Sequence, residues 1–192
     1  MLALLVLIKI LTTEAQWEKV KDENGVKVYT SYTDESKFKS FKAEVVLNTP
    51  IDSLFQFLTD IEYQSEWIGN CKQAQLSDYK LNEYYKYHAQ FEMPWPVKDR
   101  ESYCHLMVQK NTDGSIEVEN KPQTAPHSIS AGHILISEFY EYYKLTPLSD
   151  KKTHYIMMGS YNPGGYLPAW LVNKFLAYGP YDAIEAIRKE VE

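Results

Sequence analysis

Cys104 and His105 stand side by side in ESYCHLMVQK, where a thiol and an imidazole could in principle form a nucleophile and its base. A catalytic thiol needs that base within hydrogen-bond reach. The alternation around the pair reads as a β-strand, and consecutive strand residues point to opposite faces, so these two cannot serve each other. Cys71 is the other cysteine; the two lie outside any CxxC pair and are expected to remain free thiols. His88, His105, His127, His133 and His154 are scattered, with no HExxH or HxxxH spacing, so neither a metal nor another cofactor is expected. No GxSxG elbow or phosphate-cradling glycine loop occurs, and no catalytic residue is assigned. Arg100, behind MPWPVKD, could grip an anionic group bidentately or pair with carboxylates to hold a loop; both readings stand.

The elements that must position these residues belong to one domain. A chain of 192 residues, 44% hydrophobic and 24% charged, is long enough for a full core. Its formal net charge of -6, with no basic stretch interleaved with aromatics, argues against nucleic acid as a partner. The 16 tyrosines combine an apolar body with a polar tip, which suits a lined pocket, an interface or simply a strand-rich protein. MLALLVLIKIL at 1–11 is too short to span a bilayer and matches the apolar region of a secretory signal, with Thr13-Glu14-Ala15 as the cleavage region. The expected organisation is a signal peptide over 1–15 and one domain over 16–192. The expected location is periplasmic or secreted, the alternative being cytoplasmic.

Asn24-Gly25 marks a two-residue turn, so 17–32 is expected to form an edge hairpin, followed by a strand over 38–47. Asn48 or Thr49 can cap a helix with Pro50 in its first turn. Ile51, Leu54, Phe55, Leu58 and Ile61 give that helix one apolar face, and its end is expected near Trp67 to Gly69. From Cys71 to Tyr161 the pattern is that of strands, at 83–93, 100–110, 115–120, 133–146 and 153–161, with 121–130 a loop and 147–151 a turn. Pro168 opens a C-terminal helix whose apolar side is read as Leu171, Phe175, Tyr178, Ala183, Ile184 and Ile187, kinked or divided at Gly179-Pro180. Strands, a helix, a run of antiparallel strands and a closing helix make an α+β fold with one sheet.

Four segments carry a family resemblance. Trp17 with Gly25-Val26-Lys27-Val28-Tyr29, Asp60 and Trp67 in DIEYQSEW, MPWPVKDRE at 93–101, and LTPL at 145–148 followed by NPGGYLPAWLVN at 162–173 resemble, in order, segments of StAR-related lipid transfer (START) domains. The wider likeness is to bacterial START-like proteins of the Bet v 1-like superfamily. The resemblance implies a helix-grip fold, in which a curved antiparallel sheet wraps around a long C-terminal helix and encloses a cavity for a sterol, phospholipid or other lipid. It implies lipid transfer or sensing by a non-enzymatic monomer with transient membrane contact; the alternative is a polyketide cyclase/aromatase-like enzyme of the same fold. The residues expected to line the cavity are Tyr85, Tyr87 and Phe91, Ser102, Cys104 and Leu106, Met157, and Trp170, Leu171 and Phe175 of the closing helix. Arg100 is the polar-anchor candidate. Glu101 stands where the family usually has Asp, and ILISEF lacks an arginine that many relatives carry there, so one polar anchor for a head group is absent or supplied elsewhere.

If residues 1–15 are a signal, the mass of the exported protein will correspond to a start near Gln16. An intact Met1 on a cytoplasmic species would contradict export.

Overall fold

Asn24 and Gly25 both take positive φ, 50° and 76°, and so reverse the chain between β1 (Glu18–Glu23) and β2 (Val26–Ser31). The computed structural model describes residues 16–32, 36–125 and 128–192, so the segment read as a signal peptide lies outside the described residues. After β3 (Ser40–Leu47) comes α1 (Ile51–Thr59), then a 3₁₀ turn over Glu62–Glu66. Six strands follow: β4 (Cys71–Lys80), β5 (Tyr84–Phe91), β6 (Arg100–Lys110), β7 (Ile116–Pro122), the short β8 (Ile134–Leu135) and β9 (Glu138–Ser149). Then β10 (Lys152–Asn162) leads to α2 (Ala169–Val191). The strands form one sheet in the order β1-β2-β3-β10-β9-β7-β6-β5-β4, with β8 adding in parallel to the start of β6. The curved sheet wraps around α2, which packs chiefly against β2 and β3: a helix-grip fold, as expected.

Several local expectations are corrected. No side chain caps α1; its N-cap is Pro50, and the Thr49 carbonyl instead accepts a hydrogen bond from the Thr153 hydroxyl. The helix also stops at Thr59, eight residues before Trp67, because Thr59 Oγ1 bonds back to the Phe55 carbonyl and Asp60 leaves helical geometry at ψ 89°. The strand read over 133–146 is broken at Ile136-Ser137: β8 pairs with β6, while β9 pairs with β7 and β10. Pro147 lies inside β9 rather than in the turn, opposite Thr153, where the register shifts.

The closing helix is not divided, and its apolar side is as expected at Ala183, Ile184 and Ile187 but not at Phe175 and Tyr178. One helix runs through Pro180, which is buried, and Val172 and Leu176 before it and Tyr181, Ala183, Ile184 and Ile187 after it are buried as well. Packing on both sides of the proline holds the two halves as one element, outweighing the hydrogen bond the ring removes. Phe175 and Tyr178 are exposed, at 61% and 54%, because Val172 and Leu176 take the inward stripe in the first half.

Glu101 fixes one loop to this frame. Its Oε1 accepts a hydrogen bond from the Ser130 amide at 3.0 Å, and its Oε2 faces His88 Nε2 at 3.4 Å. Burial pushes this carboxyl up, but the hydrogen bonds from Ser130 and Gln90 and the neighbouring His88 outweigh it, leaving the folded-state pKa below the ordinary value. A depressed folded pKa contributes stability that is fully present above the unfolded value of about 4.3 and is lost as pH falls through the folded value. Wild type should therefore lose more stability than Glu101→Gln between about pH 5 and pH 3; equal losses in acid-denaturation curves would contradict this.

Gly159 tests the packing of the sheet's inner face. A Cβ there would lie 2.6 Å from Phe41 Cε1 and 2.8 Å from Cζ. Phe41 is buried and its ring stacks on Tyr161 with centroids 6.0 Å apart, so it has little room to retreat. Gly159→Ala should cost about 1–3 kcal/mol in urea denaturation.

Candidate functional site

Strand register lines up one row of side chains across the inner face. Tyr85 on β5 stands opposite Leu106 on β6, Leu106 opposite Asn120 on β7, and Asn120 opposite Glu141 on β9. Glu141 in turn faces Gly159 on β10, which faces Phe41 on β3. Residues opposite one another in an antiparallel pair project to the same side, so the row begins and ends apolar and turns polar at its centre. The adjoining row, Val108, Val118, Tyr143, Met157 and Ala43, is aliphatic or aromatic throughout.

The polar centre has a defined hydrogen-bond pattern. Asn120 is 2% exposed, and its Nδ2 donates to Glu141 Oε2 at 2.5 Å and to Tyr87 Oη at 2.7 Å. The Tyr161 hydroxyl donates to Glu141 Oε1. Asn120 Oδ1 and the hydroxyl of the fully buried Tyr155 have no hydrogen-bond partner among the described residues. The amide orientation follows from the network, because exchanging N and O would set two acceptors against each other at Glu141. None of the ion pairs among the described residues involves Glu141.

Burial decides the protonation of the surrounding groups. Desolvation, reinforced by the charge of Glu141, pushes Tyr143, Tyr155 and Tyr161 well above the ordinary phenol range. Tyr87 rises likewise through burial, with Cys104 and Glu141 adding to it. The Cys104 thiol is pushed up by burial to about 12, against the opposing hydrogen bond of Ser102, and the Cys71 thiol by burial to about 11. At neutral pH these phenols and thiols keep their protons, so they act as hydrogen-bond partners and are poor nucleophiles. Both cysteines are free.

The residues expected to line a cavity divide into two groups. Tyr85, Tyr87, Ser102, Cys104, Leu106 and Met157 are buried on the inner face, and Phe91 is partly buried at the end of β5. Trp170 and Phe175 do not join them: they are 70% and 61% exposed, and Leu171 is only partly buried. The reason is the turn of the inward helical stripe to Val172 and Leu176. Arg100 is buried beside the first group, but its guanidinium donates to the carbonyls of Lys98 and Pro163, and burial lowers its pKa. It therefore ties the loop before β6 to the loop before α2.

Asn120, Glu141, Tyr143, Tyr155 and Tyr161 are the inner-face residues that the sequence reading did not single out. A signal was available: Phe139, Glu141, Tyr143 and Leu145 alternate along β9, as do Ile116, Val118 and Asn120 along β7. One acid and one amide in two otherwise apolar half-strands mark a deliberate polar centre.

Comparison with known proteins follows this geometry. A family model, the START domain, matches residues 3–192. An uncharacterized protein of Pseudomonas aeruginosa is 27% identical over 176 residues, spanning 92% of this chain and 87% of that protein. The phosphatidylcholine transfer protein of Mus musculus is 22% identical over 171 residues, spanning 84% of this chain and 77% of that protein. The crystal structure of a STAR-related lipid transfer protein fragment from Xanthomonas axonopodis superposes with a TM-score of 0.84 at 24% identity, over 91% of this chain and 98% of the fragment. Matched along nearly its whole length and sharing the fold, this chain belongs to the START domain family.

Proposed function

We propose that this protein binds a single lipid between the inner face of the sheet and α2 and carries it between membranes. The observation that supports the reading most is the inner face itself. Its rows of buried aliphatic and aromatic side chains run from β3 to β5, while α2 packs mainly against β2 and β3. The remaining strands, β5, β6, β7 and β9, would supply the wall that meets the ligand. Such a wall would replace the apolar surroundings a lipid chain loses on leaving a bilayer, where exposure to water costs about 25 cal/mol for each Å².

Delivery requires contact with a membrane, and one end of the sheet is suited to it. The loop before β6 carries Trp95, 93% exposed, and the loop before α2 carries the fully exposed Tyr166. Arg100 ties these loops together, and Trp170 projects from the first turn of α2 beside them. Tryptophan and tyrosine at such a tip suit the interface between headgroups and water.

The test is transfer of NBD-labelled diacylglycerol, sphingosine and phosphatidylcholine, each in turn, between phosphatidylcholine vesicles. The wild type should accelerate transfer of at least one of them. Trp95→Ala combined with Trp170→Ala should slow it several-fold, with thermal stability and lipid occupancy little changed, because both side chains are exposed. No acceleration by the wild type would overturn the transfer reading, and an unaffected double variant would overturn the docking end.

A further inference from the structure

We infer that Asn120 and Glu141 together receive a hydrogen-bond-donating group, a hydroxyl or an ammonium, at the polar end of the bound amphiphile. The inference rests on the lipid-binding reading and adds the chemical class of the ligand. Asn120 commits both of its N–H groups, to Glu141 and to Tyr87, so the atom it has left is the acceptor Oδ1. That oxygen is buried and has no partner among the described residues, and a buried acceptor without a donor is unfavourable. Glu141 contributes two further acceptor oxygens, each receiving one hydrogen bond and each retaining a second lone pair.

The same arrangement disfavours an anionic ligand group. The one buried arginine beside the inner-face set, Arg100, is committed to the carbonyls of Lys98 and Pro163. A phosphate placed at the polar centre would instead meet an acidic side chain that forms no ion pair among the described residues, and would repel it. A hydroxyl meets three acceptors, and an ammonium meets the same acceptors with a favourable charge. The polar centre lies at mid-row, flanked by Leu106 on one side and by Gly159 and Phe41 on the other, so the rest of the ligand must be apolar.

Equilibrium binding of four probes with matched chains and an NBD fluorophore tests the inference. They are a diacylglycerol, its O-acetylated form, sphingosine and phosphatidic acid. The wild type should bind diacylglycerol or sphingosine at least about fivefold more tightly than the acetylated control, the effect of one buried acceptor gaining a donor. Phosphatidic acid should bind more weakly than either. Glu141→Gln, nearly isosteric, should reduce sphingosine binding more than diacylglycerol binding, because only the ammonium loses an opposite charge; equal losses would contradict an approach of the ammonium to Glu141. Asn120→Leu should bring the donor probes level with the control. Should that variant fail to fold, the selectivity of the wild type still decides. Equal binding of the donor and acetylated probes, or preference for phosphatidic acid, overturns the inference while leaving lipid binding in place. Binding of none of the four overturns the lipid-binding reading and the inference together.

Discussion

A carboxylate set into the apolar face of a sheet has to be met by hydrogen-bond donors, and much of this structure follows from how Glu141 is met. Strand register brings Asn120 directly opposite it, and the fold of β10 brings the Tyr161 hydroxyl to its other oxygen. Those donors are themselves positioned by packing: Tyr161 stacks between Phe41 and Phe139, and Phe41 keeps its place because residue 159 has no side chain. Moving one strand by one residue would turn the acid to the opposite face and leave its partners unpaired. The polar centre and the apolar rows around it therefore specify one register.

The two ends of the molecule have different physical characters. At mid-sheet, phenols and thiols are buried and held protonated, which gives fixed hydrogen-bonding capacity and little reactivity. At the loop end, Arg100 and Glu101 point to opposite faces of β6 and tie down different segments: Arg100 binds the carbonyls of Lys98 and Pro163, and Glu101 binds the amide of Ser130. Adjacent residues of one strand thus brace different loops: Arg100 those that carry Trp95 and Tyr166, Glu101 the one that carries Ser130.

Much of the fold was legible because strand periodicity and turn chemistry are local. Asn24-Gly25 marked the first hairpin, Pro50 the start of α1, and the alternation from Ser102 to Leu106 the buried side of β6. The failures came where tertiary contacts compete with local preference. Pro180 reads as a helix breaker, yet flanking residues packed on the sheet carry the helix through it. Leu171, Phe175 and Tyr178 share apolar spacing with Val172 and Leu176, and sequence alone does not say which stripe the sheet will take. The polar centre was hardest to read, since Asn120 and Glu141 lie 21 residues apart and meet only through the pairing of β7 with β9.

Native mass spectrometry of the protein purified from its own host tests the central claim most directly. The account predicts a single lipid-sized adduct per chain that is released by organic solvent and identifies as an amphiphile with a hydroxyl or amine at its polar end. Protein at its bare polypeptide mass, remaining so after incubation with a total lipid extract of the host, would contradict it.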